Sequence, residues 1–256
     1  METFIETVCR RSRWPVVAVS CAALVSGCQT TETSTYMVAS DVCSQFRMPM
    51  VQVGQQMEQP ISPGVAIGTA IVGAALGYLA TGRVQGAAIG GLAGGLAGAA
   101  ASYLNSRAKT VKSQAELVAA IDTDAGTDAQ RFSPIGSALA GLSACRNREI
   151  QELVAGLRAG RISKANGIKM RNEIEAAIKL DGKLIDKIVG EVRGRSQVYN
   201  SARLEALKRA GDTNPTVPAT SGTQTVVNSA NAITQTAELT KEETQTNLKT
   251  LQVLLM

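Results

Sequence analysis

Five cysteines and a complete lack of histidine set the chemistry open to this 256-residue chain. With no His, three Phe, one Trp and four Tyr, it is short of the side chains that most often act as general acid–base groups or metal ligands near neutral pH. No HExxH, Walker A, GxSxG or CxxC spacing occurs. No catalytic residue and no metal ligand can be named, so the chain reads as a non-enzyme without a resident cofactor. Cys9, Cys21 and Cys28 fall in the first thirty residues, leaving Cys43 and Cys145 as the two thiols of the remaining chain. In an oxidising compartment two otherwise unpaired cysteines are candidates for a disulfide. A Cys43–Cys145 bond would tie the segment before residues 62–105 to the helical region after them. Two separately buried thiols are the alternative, since Cys is commonly a small core residue.

The element that positions Cys28 is a targeting segment over residues 1–27. Arg10, Arg11 and Arg13 form a positive start, and Trp14 to Val25 is an apolar run too short to span a bilayer. Val25, Ser26 and Gly27 then precede Cys28: a branched apolar residue, two small residues and a thiol. This resembles the lipobox of bacterial lipoproteins. The resemblance implies that Cys28 carries a covalent lipid and becomes the mature N-terminus. Gln29 after it, rather than Asp, implies sorting to the outer membrane. An ordinary secretory signal with an incidental cysteine is the competing reading. Removing residues 1–27 takes three of 26 basic and two of 21 acidic side chains and leaves a net charge of +4. That modest charge, without a dense basic arm or interleaved aromatics, gives no support for nucleic-acid binding.

Residues 28–61 read as a lipidated tether: Thr/Ser/Glu-rich to Tyr36, then a short helix or extended segment at Asp41–Phe46, with Pro60 and Pro63 ending it. Residues 62–105 are apolar and studded with glycine, and Arg83 is the only formal charge between Glu58 and Arg107. Glycine costs about 1 kcal/mol per helical position relative to Ala, so this density needs a reason. A bilayer supplies one, because small residues at four-residue spacing let helices approach closely there. The predicted structure is a membrane-inserted hairpin broken at Thr81-Gly82-Arg83, with arms of roughly 24 and 30 Å. Gly86, Gly90, Gly94 and Gly98 form one stripe on the second arm. On the first arm Gly64 and Gly68 face opposite to Gly73 and Gly77. One of these faces can meet the second arm, and the other is free for a second copy of the chain, which predicts a homo-oligomer. A soluble Gly/Ala helix pair packed under the rest of the chain is one alternative, and a disordered Gly-rich linker, which the regular spacing disfavours, is the other.

The lipobox cysteine, the polar tether and the glycine-repeated two-helix segment together resemble the glycine-zipper two-transmembrane outer-membrane lipoproteins of the 17 kDa surface antigen type. The resemblance covers Val25 to about Asn105. It implies an outer-membrane anchor, contact with outer-membrane lipids and other envelope proteins, and no catalytic residues.

After Asn105 the pattern is all-helical, so the fold class expected is all-α: a glycine-zipper hairpin followed by an extended periplasmic helical bundle or coiled coil over residues 106–210. Alternating three- and four-residue steps from Leu104 to Ile121 suggest that the second arm continues as one long helix. A break is predicted in the loop Asp124–Asp128, a second helix from Ser133-Pro134 to Gly160, and a third from Ser163. Residues 211–228 are Thr/Ser/Asn/Gly/Pro-rich and read as a disordered linker. Residues 229–256 read as a short amphipathic helix started by the capping pattern Thr240–Glu243. Residues 161–209 hold twelve Lys/Arg against six Asp/Glu. They form either a basic face for anionic headgroups, lipopolysaccharide or an acidic partner, or a solvated face with pairs such as Glu175–Lys179. The function expected is a structural or scaffolding lipoprotein of the bacterial envelope. An accessory subunit of a pore, transport or secretion complex is the alternative, disfavoured because the hairpin offers few polar residues to line a passage.

Overall fold

Serine caps and glycine stops divide the C-terminal half into three long helices. The computed structural model describes Tyr36 and residues 40–58 and 92–256, and every regular element among them is helical. A short turn of 3-10 helix at Ser44–Phe46 leads into α1 (Arg47–Glu58). Four α-helices follow: α2 (Leu92–Ala108), α3 (Gln114–Arg158), α4 (Lys164–Arg209) and α5 (Gly222–Leu255).

Ser113, Ser163 and Ser221 are extended and each accepts the backbone N–H three residues on, from Glu116, Asn166 and Gln224, at 3.2, 3.3 and 3.0 Å. Each thus satisfies one of the orphan donors of a first turn. At the other end, Gly160 and Gly211 adopt φ of 66° and 93°. The N–H of Arg161 returns to Gly156 O at 2.9 Å and that of Asp212 to Leu207 O at 3.1 Å. These are paired Schellman stops, and the left-handed conformation explains glycine there.

The three helices run up, down and up. Asp122–Arg203, Asp128–Arg195 and Arg146–Asp181 pair α3 with α4 in opposite numerical order, as antiparallel neighbours must. Contacts between α3 and α5 keep a near-constant separation: Asp122 with Thr223 at 101 residues, Ser143 with Glu243 and Asn147 with Asn247 at 100. Those two helices are parallel and in register. α1 and α2 pack on α3 and α4, α1 beside Ile188 and α2 beside Tyr199. Apolar residues of all five helices form the main core, and Ile150, Leu153, Ile174, Leu251 and Leu255 form a smaller one towards the α3–α4 loop.

Several expectations are corrected. The second arm does not run on to Ile121: the helix ends at Ala108 in turns closed by Thr110 N–H to Arg107 O, and Ser113 starts a new one. Ala99, Ala100, Tyr103 and Leu104, assigned above to the hairpin, are buried in the bundle core. The predicted break at Asp124–Asp128 is continuous helix, because Asp122, Asp124 and Asp128 each find a cationic partner and Gly126 lies against Gly222. Tertiary partners there override weak helix propensity. Pro134 is inside α3 with its side chain exposed, where solvent can satisfy the carbonyl that its missing N–H leaves. The proposed linker over 211–228 ends at Ser221, and Thr240 is a buried mid-helix residue of α5 rather than a cap. Residues 59–91, with most of the hairpin, lie outside the described residues. Among those described, no helix is long and apolar enough to cross a membrane.

The α3–α5 crossing yields a stability test. A methyl group at Gly222 would overlap the Asp122 carbonyl oxygen and press on Gly126 N, whereas one at Gly182 meets nothing. Gly222→Ala should therefore cost about 2–3 kcal/mol in urea unfolding, while Gly182→Ala should add up to about 1 kcal/mol through helix propensity.

Candidate functional site

Among the described residues four arginine–aspartate clamps cross the bundle, and Cys43 and Cys145 meet at one of them. Cys43 and Cys145 are joined by a disulfide with their Cα atoms 5.7 Å apart. It fastens the turn before α1 to the middle of α3. Beside it Arg47 and Arg146 are 0% and 1% exposed. Arg47 Nε donates to Asp181 at 2.6 Å, its Nη1 to Tyr36 O at 2.8 Å, and its Nη2 to Asp41 at 2.5 Å. Arg146 donates to Asp181 at 2.7 Å, to Asp41 at 2.6 and 2.8 Å, and to Glu149 at 2.7 Å. Two guanidinium forks thus alternate with two carboxylates, the bidentate geometry that Arg provides and Lys does not.

Burial works to raise the Asp41 pKa. The hydrogen bonds and charge of Arg146, the charge of Arg47 and the Cys43 N–H outweigh it and hold the carboxyl below its usual value. For Arg146 burial opposes the charge, and its bonds to Asp41, Asp181 and Glu149 prevail, so the guanidinium is held more firmly protonated than usual. Carboxylate oxygens of Asp41 and Glu149 lie within 4.8 Å of each other and of Cys43 Sγ, a spacing that could hold a metal ion. The donor set does not favour one, because the sulfur is in the disulfide and both carboxylates already face guanidinium cations.

A second clamp is centred on Asp128. It accepts from Arg195 at 2.6 Å and from the Tyr199 hydroxyl at 2.8 Å. Burial, then the charge and hydrogen bond of Asp128, raise the Tyr199 pKa. The other arm of Arg195 donates to Met57 O at 2.6 Å, at the end of α1. The Tyr199 ring meets Tyr103 of α2 edge-on at 5.5 Å. One clamp therefore holds both Met57, at the end of α1, and Tyr103, on α2. Asp124 accepts from Tyr103 at 2.7 Å and from Arg107, and Asp122 accepts from Arg203 at 3.0 Å and from the Thr223 hydroxyl at 2.7 Å. A hollow beside α1, lined in part by Tyr36, Gly54, Leu184 and Ile188, measures about 10 Å³, the room of one water.

Of the other residues selected from the sequence, Val25, Ser26, Gly27, Cys28, Gly64, Gly68, Gly73, Gly77, Gly86 and Gly90 lie outside the described residues. Gly94 is in the first turn of α2, and Gly98 is exposed with open space around it. Sequence reading missed the clamps. The signal was present: Asp128, Arg146, Asp181 and Arg195 occupy the inward stripes of α3 and α4, and a charge on an apolar stripe demands a partner. No protein-family model, curated protein or solved structure matches this chain.

The clamp beside the disulfide predicts a stability and pH response. Arg146→Leu leaves Asp41 and Asp181 partly uncompensated and should cost about 3–5 kcal/mol. Because the folded Asp41 pKa is lowered, its contribution is present above the unfolded value near 3.8 and is lost as pH falls below it. Urea midpoints measured from pH 5 down to pH 2 should therefore fall less steeply for Asp41→Asn than for the unsubstituted protein.

Proposed function

We propose that this chain is a lipid-anchored outer-membrane protein that oligomerises through its glycine-zipper hairpin and serves as a structural scaffold of the bacterial envelope. The observation that carries the reading is how the bundle holds the described residues that flank the glycine-rich segment. Met57 and Tyr103, on either side of it, are both held by a single clamp, Asp128 with Arg195 and Tyr199. An apolar, almost uncharged stretch whose two flanks are fixed to neighbouring points of a folded bundle can enter a lipid phase without unfolding its host. The Cys43–Cys145 disulfide supports the compartment, since such bonds persist in oxidising spaces outside the cytosol. Cys28, preceded by Val25, Ser26 and Gly27, supplies the lipid, and the described helices form the periplasmic part. Substrate chemistry has no part in this reading: the buried carboxylates of the clamps are bound to arginine.

Fractionation of cells expressing the chain, with a labelled fatty acid, tests the anchor. The unsubstituted protein should carry label and partition with the outer membrane, and Cys28→Ser should lose both. Native sizing of gentle membrane extracts tests the assembly. Gly73→Ile and Gly77→Ile should shift the oligomer to a smaller species, and a monomeric unsubstituted protein would sink this part of the reading.

A further inference from the structure

The basic excess of residues 161–209 is partly matched by acidic partners along α4, where Lys183, Arg193 and Lys208 nonetheless remain exposed, and is least matched at one end. Arg195 and Arg203 are buried in clamps, and Arg171, Lys179 and Arg209 pair with Glu175 or Glu205. The end formed by the α3–α4 loop and the last turns of α5 differs. Residues 153–172 and 244–256 contain Arg158, Arg161, Lys164, Lys169, Arg171 and Lys249, and no Asp or Glu. All of these but Arg171 are exposed. Lys164 donates to Met256 O at 2.9 Å, and Arg158, Arg161, Lys169 and Lys249 make no ion pair among the described residues.

The same end carries large apolar side chains in solvent: Ile168 at 42%, Met170 at 40%, Val253 at 72% and Leu254 at 42% exposure. They surround the small core of Ile150, Leu153, Ile174, Leu251 and Leu255, and Gly167 lies against Leu255. The end is thus a firmly packed tip, not a frayed one. We infer that this tip is a docking surface for an anionic lipid bilayer, its lysines and arginines meeting headgroup phosphates and its four aliphatic side chains entering the interface.

Charge complementarity carries the choice of occupant. Cations dispersed around protruding aliphatics match a flat, multiply charged surface with an apolar interior. No Phe, Tyr, Trp or His occurs in these two segments to stack on a nucleobase. The inference stands apart from the proposed function, because the tip is about 31 residues of α4, or about 47 Å, from the clamp at Arg195 that holds Met57 and Tyr103.

Vesicle capture by the full-length chain, tethered to beads through an amino-terminal tag, tests it. Subsaturating vesicles of phosphatidylcholine alone, or mixed with phosphatidylglycerol, are offered at low and high salt. The unsubstituted chain should take up anionic vesicles at least about tenfold over neutral ones at low salt, with the ratio collapsing at high salt. Combined Arg158→Glu, Arg161→Glu and Lys164→Glu should bring the low-salt ratio close to one. Lys109→Glu, Lys112→Glu and Lys208→Glu, the same charge change at the opposite end, should leave it unaltered. Val253→Ser with Leu254→Ser should lower anionic capture several-fold, with helicity by circular dichroism unchanged in all variants. A ratio near one for the unsubstituted chain, or an equal loss from the opposite-end triple, would overturn the inference. Uptake of neutral vesicles measures what the glycine-rich segment and a lipid on Cys28 contribute, so failure of the proposed function shows there. The salt-sensitive excess of anionic over neutral uptake, and its loss in the Arg158, Arg161 and Lys164 triple, report on the tip.

Discussion

The structure depends on arginine and aspartate facing each other across apolar helix stripes. Desolvating such a pair costs several kcal/mol per ion, and well-packed apolar residues of the same volume often hold helices together as firmly. The clamps matter more for register. α3 and α4 each carry inward residues at alternating three- and four-residue steps over more than thirty positions. A slip of one heptad, about 10 Å, would keep apolar residues against apolar residues and change the hydrophobic energy little. The same slip would strand Asp122, Asp128, Arg146, Asp181, Arg195 and Arg203 without partners. Among the described residues, three separate crossings pin α3 to α4 in this way, and Asp122 extends the constraint to α5 through Thr223.

The disulfide acts on a different term. It closes a separation of 102 residues that contains the whole glycine-rich stretch. In the chain-entropy account, restricting the unfolded chain over such a span contributes about 4–5 kcal/mol. That is the magnitude expected for one buried clamp, and the two devices act at the same place. Cys43 precedes Arg47 by one helical turn, and Cys145 adjoins Arg146. Covalent closure thus delivers Arg47 and Asp41 to the carboxylate and guanidinium groups that wait on α4 and α3.

What could be read from the sequence divides along physical lines. Local chemistry was legible: Gly160 as the end of α3, Ser163 as the start of α4, and the Cys43–Cys145 pairing as one of two stated alternatives. Elements decided by tertiary partners were not. The stripe of α5 runs through Thr223, Val226, Ala230, Ile233, Ala237, Thr240 and Thr244, a regular three-four alternation. Three of its seven members are threonine, so its composition reads as a linker while its spacing is that of a packed helix. Asp122, Asp124 and Asp128 mark a turn by propensity and a helix by their partners Arg203, Arg107 and Arg195. In both places the period of the side chains was the better guide than their polarity.

The placement of the second clamp fixes the described flanks of the glycine-rich stretch to one place on the bundle. Arg195 and Tyr199 are one turn apart on α4, about 6 Å of rise, and both bind Asp128. The carbonyl of Met57 and the ring of Tyr103 are therefore anchored to neighbouring turns of one helix through a shared carboxylate. Both described flanks thus rest on one buried ion pair shared by α3 and α4, with the disulfide near the other end of α1. α5 is bound to α3 by separate contacts, through Asp122, Ser143 and Asn147. Register, flanks and disulfide thus converge on α3, the helix that carries Asp122, Asp128, Cys145 and Arg146.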